Sequence, residues 1–191
     1  MQTLQLKKGW NWLSFYVKPD KNTIGNLLDS STKWQVGDAL EVVNGDGKVS
    51  QLFTYTSKRK KTNSTTYDYF WDNASESIQL DPTIRYRFYS TNEKAAYLTG
   101  TYNAYETVNV LPGWNRIGYV SRLNLPVGTA LADYTDKGTV GDIIKSQNEF
   151  SVLTEAGGVR TWKGTLTFMK SGQGYMLKRN ANTNTSFYYP E

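Results

Sequence analysis

Apolar and polar residues alternate along much of the chain with the period of two that is typical of β-strands. Leu4 and Leu6 alternate with polar residues near the start of the chain, and Leu13, Phe15 and Val17 have the same spacing a few residues later. Because residues two apart on a strand share one face, we predict that Leu13, Phe15 and Val17 face the core. The opposite face of this strand would carry Trp10, Trp12, Ser14 and Tyr16.

The same pattern returns in the second half of the chain. Gly9-Trp10-Asn11 recurs as Gly113-Trp114-Asn115, and Val36-Gly37-Asp38 recurs as Val140-Gly141-Asp142 at the same offset. Two matched triplets in the same order indicate an internal duplication. By the same alignment, the core face of the second copy carries Ile117 and Tyr119.

The two copies differ in length. Trp71 in the first copy matches Trp162 in the second at a shorter offset, so the first copy has extra residues before this tryptophan. These include the basic run Lys58-Arg59-Lys60-Lys61, which predicts a lengthened hairpin with a solvated tip. We predict two domains, a first repeat over residues 1–104 and a second repeat over residues 105–191.

Turn signals place a hairpin in the middle of each copy. Asn44-Gly45-Asp46-Gly47 is a strong hairpin turn sequence and separates two strand-like segments, residues 38–43 and 48–55. In the second copy, residues 143–146 and 150–153 form the counterpart.

A short helix is predicted before the hairpin of each copy. Asn22 or Thr23 can cap residues 24–28, and Pro126 can begin a helix over residues 127–131. The remaining segments have the character of short strands and turns. The predicted fold class is therefore all-β with minor short helices, in two tandem copies of one β-rich repeat unit.

Composition narrows the chemistry that is available. The 191 residues include no histidine and no cysteine, which excludes Ser–His and Cys–His dyads, imidazole or thiolate metal ligands, and disulfides. Aromatic residues make up 14% of the chain, in keeping with a sheet-rich fold. The net charge is +5 and is spread over both halves, unlike that of a typical nucleic-acid-binding protein. We therefore expect no cofactor, no metal and no nucleic-acid partner.

Carboxylates are the remaining acid–base groups. A glycoside hydrolase needs two of them on either side of the scissile bond. Asp38 and Asp142 recur after Val-Gly in both copies, which favours hydrogen bonding within the scaffold over catalysis. A calcium loop is not predicted around Asn44, because Val42 and Phe53 stand where the two anchoring carboxylates belong. The candidates for a hydrolase pair are Glu41, Asp72, Glu76, Glu149 and Glu155.

The aromatic residues divide into matched and unmatched groups. Trp10 matches Trp114, and Trp71 matches Trp162, so we expect all four to pack within the scaffold. Unmatched aromatic residues are not required by the shared scaffold and can serve a partner, for example by stacking on the faces of sugars. The ligand candidates on this argument are Trp12, Trp34, Tyr55, Tyr67 and Tyr69.

Four segments of the second copy carry a resemblance to a known group of proteins. They are Gly113-Trp114-Asn115, Val140-Gly141-Asp142-Ile143-Ile144-Lys145-Ser146-Gln147, Trp162-Lys163-Gly164-Thr165-Leu166 and Ser171-Gly172-Gln173-Gly174-Tyr175-Met176. Together they resemble a repeat found in large secreted and cell-surface proteins of Bacteroidetes-type bacteria. The resemblance covers most of residues 106–190, whereas the first copy matches well only at its Gly-Trp-Asn and Val-Gly-Asp triplets. It implies an extracellular module within a longer surface protein and brings no catalytic residues with it.

The sequence as a whole favours a non-catalytic extracellular or cell-surface module that binds a glycan or a surface protein, or acts as a structural spacer. A glycoside hydrolase with paired carboxylates is the alternative. Single-stranded nucleic-acid binding would require the basic run at residues 58–61 to lie beside exposed rings. No stretch approaches the roughly 18 apolar residues of a membrane helix, so no membrane insertion is expected.

Overall fold

The computed structural model describes residues 1–19, 23–24, 32–43, 49–60, 65–73, 80–102 and 105–190. Short strands dominate these residues, and the predicted all-β class with minor short helices is confirmed. The strands of the first half are β1 (Gln2–Leu6), β2 (Gly9–Leu13), β3 (Val17–Lys18), β4 (Ala39–Val43), β5 (Val49–Arg59), β6 (Tyr67–Trp71), β7 (Tyr86–Ser90), β8 (Lys94–Leu98) and β9 (Thr101–Tyr102). The second half contains β10 (Val108–Val110), β11 (Gly113–Gly118), β12 (Leu125–Pro126), α1 (Val127–Ala130), α2 (Ala132–Lys137), β13 (Ile143–Lys145), β14 (Phe150–Ala156), β15 (Val159–Gly164), β16 (Phe168–Met169), β17 (Gly174–Arg179) and β18 (Thr185–Phe187).

Each half forms one five-stranded sheet, and the two sheets have the same strand order. The first sheet has the order β2-β7-β4-β5-β6, and the second has the order β11-β17-β13-β14-β15. A two-stranded antiparallel pair accompanies each sheet, β1 with β8 and β10 with β18. Trp10 lies in β2 and Trp114 in β11, which are equivalent strands. The chain therefore contains two tandem copies of one β-rich unit.

The residues divide in space into two compact units. The first unit consists of Met1–Asn11, Pro19–Leu80 and Tyr86–Thr101, and the second of Trp12–Lys18, Asp81–Arg85 and Tyr102–Glu191. Two segments from the first half of the sequence, residues 12–18 and 81–85, thus belong to the second unit.

The core of the first unit is built from alternating positions of paired strands. The predicted central hairpin is present, because β4 and β5 pair with Leu40 opposite Phe53, and both side chains are fully buried. Phe88 on β7 lies opposite Leu40 on its other side and is buried as well. The predicted turn at residues 44–47 lies outside the described residues.

The core of the second unit confirms the predicted core face. Leu13, Phe15, Ile117 and Tyr119 are all buried. The equivalent hairpin is also present, since β13 and β14 pair antiparallel. Other buried residues of this core include Val110, Leu131, Ile144, Leu177 and Phe187.

The predicted alternation is wrong at Ser14. It was placed on the outer face with Trp10 and Trp12, but it is fully buried. Its backbone N–H donates to the carbonyl of Gly172 at 3.0 Å, and its hydroxyl donates to the carbonyl of Gln173 at 2.8 Å. Leu13, Phe15 and Val17 are buried as the period of two predicts, and Ser14 is buried as well because residues 172 and 173 supply acceptors for its N–H and hydroxyl.

The helical prediction is confirmed in the second copy and extended there. Pro126 precedes α1, as expected, and α2 follows after Leu131. Helix α2 buries Tyr134 and carries an ion pair one turn apart, between Asp133 and Lys137 at 2.8 Å. In the first copy Ile24 is helical and buried, whereas residues 25–28 lie outside the described residues.

The predicted lengthened hairpin of the first copy is present. Beyond the pair Tyr55 and Trp71 the first copy has four further residue pairs, whereas beyond the equivalent pair Leu153 and Trp162 the second copy has three. Beyond the matched pair Tyr55 and Trp71, the ladder between β5 and β6 continues to Arg59 opposite Tyr67. The first copy therefore projects a longer two-stranded ribbon from its sheet than the second copy does.

We expect Phe15→Ala to lower the free energy of unfolding by about 3–5 kcal/mol, because it removes a buried ring and leaves a cavity. Chemical denaturation followed by circular dichroism measures the change. The matched control is Phe168→Ala, which removes an exposed phenylalanine of the same unit and should cost no more than about 0.5 kcal/mol. Equal losses in the two variants would show that Phe15 is not a core residue.

Buried tyrosines are a distinctive feature of the second core. The hydroxyl of Tyr119 donates to the carbonyl of Leu123 at 2.9 Å, and that of Tyr189 donates to the carbonyl of Gly118 at 2.9 Å. Burial disfavours the phenolate and raises the pKa of Tyr119 to about 12. Burial is also the main cause of the raised pKa of Tyr134, Tyr175 and Tyr189.

These pKa shifts predict a loss of stability in alkali. In the unfolded chain a tyrosine releases its proton near pH 10, whereas folded Tyr119 keeps it until about pH 12. Since the folded state then binds more protons, the free energy of unfolding falls as the pH rises through this window. Denaturation at a series of pH values should show that fall, and Tyr119→Phe should make it shallower. The control is the exposed Tyr188→Phe, and an equal slope in both variants would contradict the assignment to Tyr119.

Candidate functional site

The Gly-Trp-Asn triplet forms the same local structure in both copies. Gly113 has a φ of +86°, a left-handed conformation that favours glycine and turns the chain into β11. Asn115 then closes the turn, because its Oδ1 accepts from the N–H of Leu111 at 2.8 Å and its Nδ2 donates to the carbonyl of Leu111 at 2.7 Å. Asn11 makes the equivalent pair of bonds to Lys7 in the first copy.

This turn places the tryptophan of the triplet outside the core, which corrects the predicted packing role of Trp10 and Trp114. Their exposed fractions are 38% and 48%. Each ring is covered in part by a cation, since the guanidinium carbon of Arg87 lies 4.2 Å from the ring centre of Trp10 and the Lys145 ammonium lies 5.2 Å from that of Trp114. The asparagine side chain bonds the backbone groups of the turn, and the tryptophan between it and the glycine therefore lies at the surface.

The second matched pair of tryptophans does pack, as predicted. Trp71 is buried, and its ring centre lies 6.1 Å from that of Phe88. Trp162 is half-buried against the second core, and its indole N–H donates to the hydroxyl of Thr135 at 2.8 Å. These two rings therefore belong to the shared scaffold.

The aspartate of Val-Gly-Asp is a scaffold residue in both copies, as expected. In the second unit Asp142 is fully buried, and its carboxylate accepts from the N–H of Thr139 at 2.8 Å and of Asn180 at 2.7 Å. A third bond comes from the hydroxyl of Tyr134 at 2.7 Å. Gly141 has a φ of +94°, which lets the chain turn so that the carboxylate points inward.

Asp38 occupies the equivalent position in the first unit and is also fully buried. Its carboxylate accepts from the N–H of Gln35 at 2.9 Å and from the N–H of Thr91 at 2.8 Å, which are the equivalent backbone donors. The ammonium of Lys94 stands in place of the tyrosine hydroxyl and forms an ion pair with Asp38. Both aspartate carboxylates are therefore bonded to donors of their own unit.

Two of the five ligand candidates, Trp34 and Tyr55, pack beside the scaffold. Both are half-buried, and their ring centres lie 5.3 Å and 5.4 Å from that of Trp71. Burial is the main cause of the raised pKa of Tyr55, followed by the neighbouring Tyr69. These rings anchor the base of the long hairpin.

Trp12 stands apart from the other candidates because it belongs to the second unit. It is half-buried, and the guanidinium carbon of Arg85 lies 4.1 Å from its ring centre. The ammonium of Lys145 lies 5.7 Å from the same ring centre. Two cationic side chains thus lie over the Trp12 ring.

Tyr67 and Tyr69 are exposed, in agreement with the expectation for a ligand surface. Their exposed fractions are 39% and 58%, and their ring centres lie 6.5 Å apart. They alternate along β6, so both project from the same face as Trp71. Arg59 lies opposite Tyr67 on β5, and its Nε donates to the Tyr67 hydroxyl at 3.0 Å. We call Arg59, Tyr67 and Tyr69 the hairpin tyrosine face.

The role of Arg59 was not predicted from the sequence. The basic run was expected to be a solvated tip, and Lys58, Arg59 and Lys60 are indeed exposed. The pairing register nevertheless brings Arg59 against Tyr67, and Lys60 forms an ion pair with Asp68 at 3.2 Å. Lys61 lies outside the described residues. The basic run thus lies beside exposed rings, and two of its side chains, Arg59 and Lys60, contact residues of the same hairpin.

The second copy has no equivalent of the hairpin tyrosine face. Arg160 stands two residues before Trp162, where the first copy has Tyr69 before Trp71. Its guanidinium donates to the carbonyls of Gly138 at 2.9 Å and Asp136 at 3.2 Å, at the C-terminal end of α2. That side chain is therefore engaged within its own unit.

Three of the four described carboxylates that could serve a hydrolase are engaged by different partners. Glu41 forms an ion pair with Arg87 at 3.2 Å, and Glu155 forms one with Arg160 at 3.0 Å. Asp72 accepts a hydrogen bond from the N–H of Thr54. Glu149 is exposed, and Glu76 lies outside the described residues. Within the described part of the chain, no cluster of three or more acidic residues could hold a metal ion.

No protein-family model, curated protein or solved structure matches the chain. Among the residues that the structure describes, no helix is long and apolar enough to cross a membrane.

We expect Asp142→Asn to destabilise the second unit by about 2–3 kcal/mol, because an amide group would turn a donor toward backbone N–H groups that need an acceptor. Thermal and urea denaturation measure this loss. Asp136→Asn makes the same chemical change at an exposed position of α2 and should leave stability nearly unchanged. Equal stability of the two variants would show that the buried carboxylate is not a structural requirement.

Proposed function

We propose that the chain is a non-catalytic extracellular module that binds a glycan on the hairpin tyrosine face. The observation that carries the proposal is the exposed pair Tyr67 and Tyr69, with ring centres 6.5 Å apart on one face of a ribbon. Exposed rings add little to folding, whereas they contribute much to binding because they bury large areas at low entropic cost.

The support beneath the two rings favours binding without large rearrangement. Trp34, Tyr55 and Trp71 hold the base of the ribbon, and Arg59 orients the Tyr67 ring through its hydroxyl. A ring held in this way loses little freedom when a ligand covers it. The remaining guanidinium N–H groups of Arg59 and the Tyr69 hydroxyl can bond sugar hydroxyls, while the ring faces stack on the apolar faces of the sugars.

The non-catalytic part of the proposal rests on the acid–base groups. The sequence has no histidine or cysteine, and Glu41, Asp72 and Glu155 are engaged by three different partners. A glycosidase requires two carboxylates that act together on one bond. The extracellular location rests on the resemblance to repeats of secreted and cell-surface proteins, in which such units also act as spacers.

A glycan array followed by isothermal titration calorimetry on the best neutral glycan tests the proposal. We expect the double variant Tyr67→Ala/Tyr69→Ala to weaken binding by about tenfold or more, as truncation of central aromatic residues commonly does. Tyr188→Ala is the matched control, because Tyr188 is 56% exposed, close to the 58% of Tyr69, and it lies in the other unit. The control should bind as the wild type does.

Two outcomes would contradict the proposal. Unchanged glycan binding by the double variant would exclude the hairpin tyrosine face as the site. Release of reducing sugar from the bound glycan would show that the module is catalytic and would favour the hydrolase alternative.

A further inference from the structure

The outer face of the second five-stranded sheet has an unusual composition. Strand pairing places Trp114 opposite Lys178, Lys178 opposite Ile143, Ile143 opposite Val152, and Val152 opposite Lys163 in one row across the sheet. The adjacent row is formed by Arg116, Met176, Lys145 and Phe150. We call Trp114, Arg116, Lys145, Phe150, Lys163 and Lys178 the cationic sheet face.

Burial and ring contacts agree with this assignment of faces. The residues between them in sequence, such as Ile117, Ile144 and Leu177, are buried in the core. Lys145 lies 5.2 Å from the ring centre of Trp114, so these two side chains meet on the outer side. Trp114 and Phe150 are 48% and 51% exposed, and the rings are therefore accessible to a ligand.

The lysines of this face have no acidic neighbour on the described strands of its sheet. The structure describes all five strands of this sheet, and Glu155 is their one acidic residue. Glu155 lies opposite Arg160 on the other face and is paired with it. Among the described residues, Lys145, Lys163 and Lys178 form no ion pair. A face with three uncompensated lysines attracts anions.

The first sheet provides an internal comparison. At the position of Lys145 it has Glu41, and at the position of Met176 it has Arg87. Arg87 covers Trp10 there, but its charge is compensated by Glu41 at 3.2 Å. Both copies therefore have a cation against the outer tryptophan, and the second copy has no carboxylate at the position of Glu41.

We propose that the cationic sheet face binds an acidic polysaccharide. An acidic sugar combines an apolar ring face with a carboxylate or sulfate group. Trp114 offers a partly exposed ring, with Lys178 opposite it on the neighbouring strand and the Lys145 ammonium 5.2 Å from its ring centre. One sugar can thus stack on the ring while its acidic group meets an ammonium group.

The dimensions of the face fit an extended chain of such sugars. Lys178 and Lys163 lie in the same row three strands apart, which corresponds to about 14 Å. Trp114 and Phe150 are also separated by three strands, a spacing too wide for stacking successive bases of a single-stranded nucleic acid. The charges are mainly lysines rather than the arginine forks that pair with phosphates in two-point contacts. The site is separate from the hairpin tyrosine face and does not depend on it.

Affinity electrophoresis and titration calorimetry with polygalacturonate as the carboxylated probe and dextran sulfate as the sulfated probe test the proposal. Neutral dextran and single-stranded oligothymidylate complete the set of probes. We expect Lys145→Gln/Lys178→Gln to weaken binding of the acidic polysaccharide by about tenfold, and the wild-type affinity to fall as salt is raised. The matched control is Lys7→Gln/Lys8→Gln, which removes the same charge from exposed positions of the first unit.

The outcomes separate this site from the tyrosine site. Weaker binding of polygalacturonate or dextran sulfate by Lys145→Gln/Lys178→Gln alone, with neutral-glycan binding intact, supports the proposal and identifies the acidic group. An equal loss in the two lysine variants would mean that net charge rather than this face governs binding. Absence of binding to both acidic polymers, or tighter binding to oligothymidylate, would overturn the proposal. Thermal denaturation of each variant checks that the fold is retained.

Discussion

A buried aspartate at the start of the central hairpin is the constraint on which each repeat depends. An ionised carboxylate removed from water is destabilising by several kcal/mol unless donors surround it, so every neighbour of Asp38 and Asp142 must be in place. The two carboxylates accept from equivalent backbone N–H groups, one in the preceding turn and one just after the strand that pairs with the hairpin. Each aspartate thereby joins segments far apart in the sequence. The side-chain donors differ, the Thr91 hydroxyl and the Lys94 ammonium in one copy and the Tyr134 hydroxyl in the other, because any donor that reaches the site meets the requirement.

The shared triplets meet the same requirement, that buried polar groups have hydrogen-bond partners. Glycine supplies the left-handed turn, and asparagine or aspartate satisfies the backbone groups that the turn exposes. The tryptophan of Gly-Trp-Asn is matched between the copies and yet is exposed in both, at Trp10 and Trp114. A matched residue is therefore not always a core residue. It can be a constant feature of the surface, positioned by a turn that both copies retain.

Local patterns predicted the strands, the hairpins and the core positions, because a period of two directly reports which residues share a face. Prediction failed where tertiary contacts decide. Ser14 is buried because its N–H and hydroxyl donate to residues 172 and 173, which lie far away in the sequence. The contact of Arg59 with Tyr67 depends on the register across a long hairpin. The cationic sheet face could not be predicted from the sequence, because its charges come from separate strands and the net charge of the second half is small.

Duplication explains how one small scaffold can carry two different surfaces. Both copies must satisfy the same buried carboxylate and the same turns, so substitutions accumulate where those requirements are absent. The first copy has the longer hairpin with Tyr67 and Tyr69, and its outer face carries the Glu41–Arg87 ion pair. The second copy has the shorter hairpin, with Arg160 bonded to the end of α2, and its outer face has Lys145 and Met176 at the positions of that ion pair. Each copy thus conserves one surface as ordinary scaffold and specialises the other.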